Sequence, residues 1–156
     1  MQEKAFQDYY PDEFSHCYGC GRLNAHGLQI KSCWDGEESV ATFFPEEKYM
    51  AIPGFVYGGL IASLIDCHCT GTAAAASYRK EGRPMDSAPP FRFVTASLKV
   101  DYLAPTPLGT ALEIRGRVIE IKEKKVVIEA KVLSGKTLCA TGTVVAVRLP
   151  STMMTR

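Results

Sequence analysis

The sequence predicts an α+β domain: an antiparallel sheet of about six strands wrapped round one long central helix. Three observations predict it. One run, Tyr57 to Ala76, is rich in Ala and Leu and apolar on nearly every face, as a fully buried helix is. Six other stretches alternate apolar and polar residues with the period of a half-buried strand. The breaks between them are short turn sequences, which join antiparallel neighbours.

The elements follow in order. Residues 1–26 read as irregular, with a short helix near the start. Gly27 to Trp34 alternates and reads as the first strand; Asp35-Gly36 is a turn signal; Ser39 to Phe44 returns, and Pro45 closes it. Gly58 and Gly59 open the helix, and Gly71 inside it costs about 1 kcal/mol against Ala, which implies tight packing there. Ser77 to Pro90 is polar and proline-rich and reads as a loop. Four strands follow: Phe93 to Leu103, Ala111 to Ile121, Lys125 to Leu133 and Thr137 to Arg148. Their breaks are Pro105-Thr-Pro107-Leu-Gly109, the Lys122–Lys124 turn and Ser134-Gly135. The whole of 1–156 reads as one domain.

Composition narrows the function. With 18 basic and 17 acidic residues, the formal charge is +1, which gives no general reason to expect nucleic acid. Ser63, Asp66, His68, Thr70 and Thr72 interrupt the longest apolar stretch, so a membrane span is not expected. The first residues are polar and lack the apolar centre of a secretory signal. The six cysteines are therefore expected as reduced thiols in a cytoplasmic protein.

Two features of the helix carry chemistry. Its glycine-rich N-terminus presents uncovered N–H groups and a partial positive charge, which suit a developing oxyanion. Two turns on, Asp66 is a lone carboxylate in an apolar helix, an expensive placement without a partner. It either serves a reaction or merely pairs with a buried Arg or caps a neighbouring element. Asp66 lies about 12 Å along the helix from Gly58, at 1.5 Å per residue. One reacting carbonyl cannot touch both from one chain, but antiparallel packing of two copies brings Asp66 of one towards Gly58 of the other. His68 points about 200° away from Asp66, so a dyad within one helix is not expected. His16, Cys17, Cys20 and His26 contain one Cys-x2-Cys half-site. With no second half-site, a compact turn packed on the sheet is expected rather than a metal site, and Cys67 and Cys69 are expected to pack as small apolar residues.

These residues together carry a resemblance. Tyr57-Gly58-Gly59-x6-Asp66 resembles the His-Gly-Gly-x6-Asp signature of PaaI-type hot-dog-fold acyl-CoA thioesterases, with Tyr in place of His. His16-Cys-Tyr-Gly-Cys-Gly21 with Gly27-Leu28 is similar to the family's Cys-x-Gly-Cys-Gly…Gly-Leu opening. Thr95 to Pro105 is similar to its strand ending Tyr-x-x-Pro. The resemblance covers about residues 14–148. It implies the hot-dog fold, a curved antiparallel sheet round one helix, assembled as a homodimer or tetramer with composite active sites. It implies hydrolysis of an acyl-CoA thioester without a cofactor or metal. Asp66 would be nucleophile or general base, the Gly58 N–H would polarise the carbonyl, and Thr95 would place the carboxylate or water. Tyr57 and Gly59 would contact substrate, and Lys122, Lys124 and Lys125 would meet the CoA phosphates; the plain reading of these lysines is a solvated turn. Two departures stand out: Tyr57 cannot act as a base near neutral pH, and Ala51 stands where some relatives carry Asn or Gln. They motivate the alternative, a protein of the same fold that binds acyl-CoA or another acyl ligand without turnover. Hydratases of this fold use an Asp-x4-His pair, and no His follows Asp66 or Asp101 at that spacing.

Overall fold

The apolar run folds as α1 (Gly58–Lys80), which ends four residues later than the sequence suggests. The computed structural model of the chain describes residues 3–154. Ser77 and Tyr78, expected in a loop, continue the helix. The Ser77 hydroxyl donates to the Ala73 carbonyl (2.9 Å), as helical serines do. Tyr78 is buried edge-on against Phe91 (4.9 Å between centroids), and its hydroxyl accepts the Phe91 N–H (2.8 Å). Packing across the chain overrides the polar appearance of this stretch.

Six strands surround the helix: β1 (Ser32–Asp35), β2 (Glu38–Phe43), β3 (Phe93–Tyr102), β4 (Leu112–Ile121), β5 (Lys125–Ser134) and β6 (Thr137–Arg148). They form one curved antiparallel sheet in the order β1-β2-β4-β5-β6-β3, with α1 against its inner face. β1 is shorter than the expected Gly27–Trp34. Gln29 adopts a positive φ of 52°, and Leu28 and Ile30 instead donate to the carbonyls of Tyr18 and Gly19 (2.8 and 3.0 Å). Before β1, the described residues contain two short 3₁₀ turns, Phe6–Tyr9 and Asp12–Phe14.

The core lies between α1 and the sheet, where Leu64, Ile65, Leu112, Ile114, Val126, Ile128, Val132 and Val144 are fully buried. Gly71 is needed there, because a Cβ would come 2.7 Å from the Gln7 amide nitrogen. A polar strand of contacts also crosses this core. Ser32 and Ser39 hydroxyls meet the two ring nitrogens of His68 (2.8 and 2.9 Å), and Ser39 also meets Thr72 (2.7 Å). Burial strips the imidazolium of water and holds the His68 pKa down to about 4, so the ring is neutral at pH 7. His68 is thus a core residue with both nitrogens satisfied. His68→Leu removes a partner from two buried hydroxyls and should lower stability by about 2–3 kcal/mol in urea denaturation at pH 7.

Candidate active site

Asp66 sits on a face of α1 that the chain's own sheet leaves partly open. Gly59, Ala62, Ser63 and Asp66 are half-buried at helical spacing, whereas Leu60, Ile61, Leu64 and Ile65 beside them are buried. Asp66 is therefore half-exposed, not sealed in the core as an apolar helix suggested. No buried arginine pairs with it among the described residues. Its partner is Thr95, whose hydroxyl donates to Oδ1. Thr95 is on β3, immediately before a bulge at Ala96 where pairing with β6 skips a residue. Such an insertion bends the strand and re-aims its side chains. The bulge and the helix together hold one carboxylate oxygen and leave the other without a donor among the described residues.

The second half of the site is the start of α1. The N–H groups of Gly58 and Gly59 have no carbonyl one turn back. Tyr57, the N-cap, makes no side-chain capping bond, and the first turn carries no acidic residue. The positive end of the helix is therefore uncompensated. The exposed Tyr57 ring lies against Gly59, where a Cβ would come 2.3 Å from its Cε1 and displace the ring. Tyr102, at the far end of β3, donates its hydroxyl to the Gly58 carbonyl (2.7 Å) and ties this end of the helix to the sheet. Its trace in the sequence is the Tyr-x-x-Pro pattern that closes the strand.

An open apolar cleft of about 550 Å³ lies beside Gly58, lined by Ala51, Ile52, Phe55, Ile61, Tyr102 and Leu103. Two loops wall it. Val56 donates to the Thr106 carbonyl (2.8 Å) and Leu108 to that of Gly54 (2.9 Å). Asp66 does not line this cleft, so one chain keeps the carboxylate and the open helix terminus apart.

Lys122, Lys124 and Lys125 form the β4–β5 turn beside the C-terminal end of α1, where Lys122 and Glu123 share a hollow with Ser77 and Lys80. Within the chain they lie at the opposite end of the helix from Tyr57 and Gly58. Lys122 and Lys125 both pair with Glu120 (3.1 and 3.3 Å), and these bonds, Lys122 first, hold its carboxyl below the usual range.

The Cys17–Cys20 turn packs on the helix rather than on the sheet. Cys17 Sγ lies 3.7 Å from Cys67 Sγ and accepts the Gly19 N–H (3.3 Å). Hydrogen bonds from Cys20 and then Cys67 hold the Cys17 thiol well below the usual thiol range, while Cys20 is pushed up to about 11, chiefly by its bond to Cys17. His16 and His26 are exposed and take no part.

The family model described as Thioesterase superfamily matches residues 53–147, from the cleft loop to the end of β6. Acyl-coenzyme A thioesterase THEM4 of Xenopus laevis is 35% identical over 116 residues, covering 72% of this chain and 46% of that protein. THEM4 of Mus musculus is 32% identical over 100 residues, covering 63% and 37%. The chain thus spans less than half the length of the curated relatives it matches. A crystal structure of a thioesterase superfamily protein from Shewanella loihica PV-4 is 48% identical, covering 90% of this chain and 100% of that one, with a TM-score of 0.68. The PaaI protein of E. coli, 16% identical with a TM-score of 0.63 over 79% of this chain and 81% of that one, shares the fold. The family model spans the helix opened by two glycines, its threonine-held Asp66 and the four strands that follow, and the chain belongs to the thioesterase superfamily, with its hot-dog fold.

Proposed function

We propose that this chain hydrolyses acyl-CoA thioesters to free acid and CoA. The observation that carries the reading is Asp66. It is a half-buried carboxylate, the one acidic side chain of α1, oriented by Thr95, with one oxygen left for chemistry. The name shared by the THEM4 relatives supports the substrate class. In this reading Asp66 attacks the thioester carbon, or takes a proton from the water that does. The Gly58 N–H, at the positive end of α1, donates to the carbonyl oxygen as charge develops on it. Tyr57 and Gly59 border the acyl group, and the apolar cleft beside Gly58 receives its chain.

The active site is composite. Asp66 and Gly58 lie about 12 Å apart along one helix, so the pair that meets one carbonyl comes from two copies of the chain. The half-open helix face supports this, as does β3, an edge strand that among the described residues pairs only with β6 and exposes residues 96–99. A homodimer, or a tetramer of two such dimers, satisfies this geometry. Lys122, Lys124 and Lys125 then contact the CoA phosphates. Lys124 makes no ion pair among the described residues. In this reading the protein works in the cytoplasm with its cysteines reduced; no helix of the described residues is long and apolar enough to cross a membrane.

Thiol release from a panel of acyl-CoAs, acetyl to palmitoyl with benzoyl and phenylacetyl, tests the reading, with Asp66→Ala as control. Turnover that vanishes in the control supports hydrolysis and identifies the acyl class. Tight CoA-ester binding without turnover points instead to the non-hydrolytic alternative, which Tyr57 and Ala51 favour. Thr95→Val removes the hydroxyl that orients Asp66 at constant volume. It should lower kcat about 10–100-fold and leave KM nearly unchanged, since positioning is lost and binding is not.

A further inference from the structure

Cys17, Cys20 and Cys67 form a cluster that the proposed hydrolysis does not use. Their Sγ atoms all lie within 4.8 Å of one another. We infer that these three thiolates bind one zinc(II) ion, clamping the N-terminal segment to the helix beside Asp66.

Four observations carry the inference. First, the spacing fits the metal. Zinc–sulfur bonds of about 2.3 Å in a tetrahedron set sulfurs about 3.8 Å apart, and Cys17 and Cys67 are 3.7 Å apart. Second, the Cys-x2-Cys turn already directs the Gly19 N–H at Cys17 Sγ (3.3 Å), a bond that stabilises a metal-bound thiolate. Third, the turn is built to this closeness. A Cβ on Gly19 would come 2.3 Å from Cys67 Sγ, and one on Gly21 2.5 Å from the Cys17 nitrogen.

The fourth observation is a pair of buried donors beside the sulfurs. Among the described residues, three buried side-chain polar atoms lack a partner at full hydrogen-bond geometry, and two of them adjoin both this cluster and each other: Tyr10 Oη and Arg92 Nη1. Tyr10 is only 6% exposed, and Arg92 lies over its ring at 4.6 Å. The Tyr10 hydroxyl reaches the helix at Gly71, one turn beyond Cys67 on the same face. Neutral thiols are weak acceptors for such donors, whereas metal-bound thiolates are strong ones. Three thiolates, a divalent cation and the Arg92 guanidinium also sum to zero charge, which suits a largely buried site. The described residues offer no fourth His or carboxylate within the same radius. Cys17 is half-buried, so water reaches the fourth position.

The test uses the full chain, reduced, stripped of metal and titrated with cobalt(II), then zinc(II). The expected result is a thiolate-to-cobalt charge-transfer band that saturates at one cobalt per chain and is bleached by an equivalent of zinc. Cys17→Ser, Cys20→Ser and Cys67→Ser should each lose the band, and Cys33→Ser, outside the cluster, should keep it. Zinc at a hundred times its dissociation constant should raise Tm by about 5–10 °C, and Cys17→Ser should lose that shift. No band from the fully reduced chain, or a full band in Cys67→Ser, would each overturn the inference. If Cys67→Ser fails to fold, the half-exposed Cys17→Ser decides.

Discussion

Asp66→Asn should lower kcat for thioester hydrolysis by about 10²–10⁴-fold, the range that a lost general base or nucleophile commands. The change is close to isosteric. The carbonyl of the introduced amide can still accept the Thr95 hydroxyl that now bonds Oδ1. An amide neither takes a proton from water at neutral pH nor attacks a thioester. The acyl-CoA dissociation constant should therefore stay within a few-fold of wild type. Asp66 lies outside the hydrophobic core and is half-exposed, so the melting temperature should move little. Steady-state thiol release, isothermal titration of the CoA ester and calorimetry separate these quantities. Wild-type kcat in the Asp66→Asn variant would remove Asp66 from the chemistry, whatever the binding data show.

Gly58→Pro should lower kcat about 10²–10³-fold, the effect of deleting one oxyanion donor. Proline lacks the N–H, yet the first helical position tolerates it because no intrahelical bond is lost there. Tyr57, with φ −61° and ψ 132°, already has the extended backbone that a residue before proline adopts. The nearest obstacle is the Tyr102 hydroxyl, 3.3 Å from a Cβ at this position. Circular dichroism should show the helix intact. Mixing the two inactive variants then tests the composite site. Randomly re-formed dimers are half heterodimers, and each heterodimer has one site with Asp66 and Gly58 both native. About a quarter of wild-type activity should return if the pair comes from two chains. A mixture no more active than its parts would mean that the two groups act within one chain or do not act together.

Much of this molecule was legible in one dimension, because strand and helix periods are local. β6 matches its expected span, Thr137–Arg148, and β3, β4 and β5 each differ at one end by one residue. Asp66 stood out because a carboxylate is costly in an apolar helix, and Gly58 because a glycine pair opens that helix. The misread places are those where a distant residue decides. Tyr78 remains helical because Phe91 packs on it, and β1 starts late because the Cys17–Cys20 turn takes the backbone bonds of Leu28 and Ile30.

The order and type of the elements, the buried helix and the candidate carboxylate were thus determined by the sequence alone, through patterns that span a few residues. Only the tertiary structure decided that β3 lies at an edge of the sheet, that Tyr102 anchors the helix start, and that Cys67 joins Cys17 and Cys20; the Thr95 hydroxyl meets Asp66 as the family resemblance implied. The Thr95–Asp66, Tyr102–Gly58 and Cys17–Cys67 contacts join residues 29 to 50 positions apart. No local period encodes such a contact; it exists only once the sheet has curved round the helix.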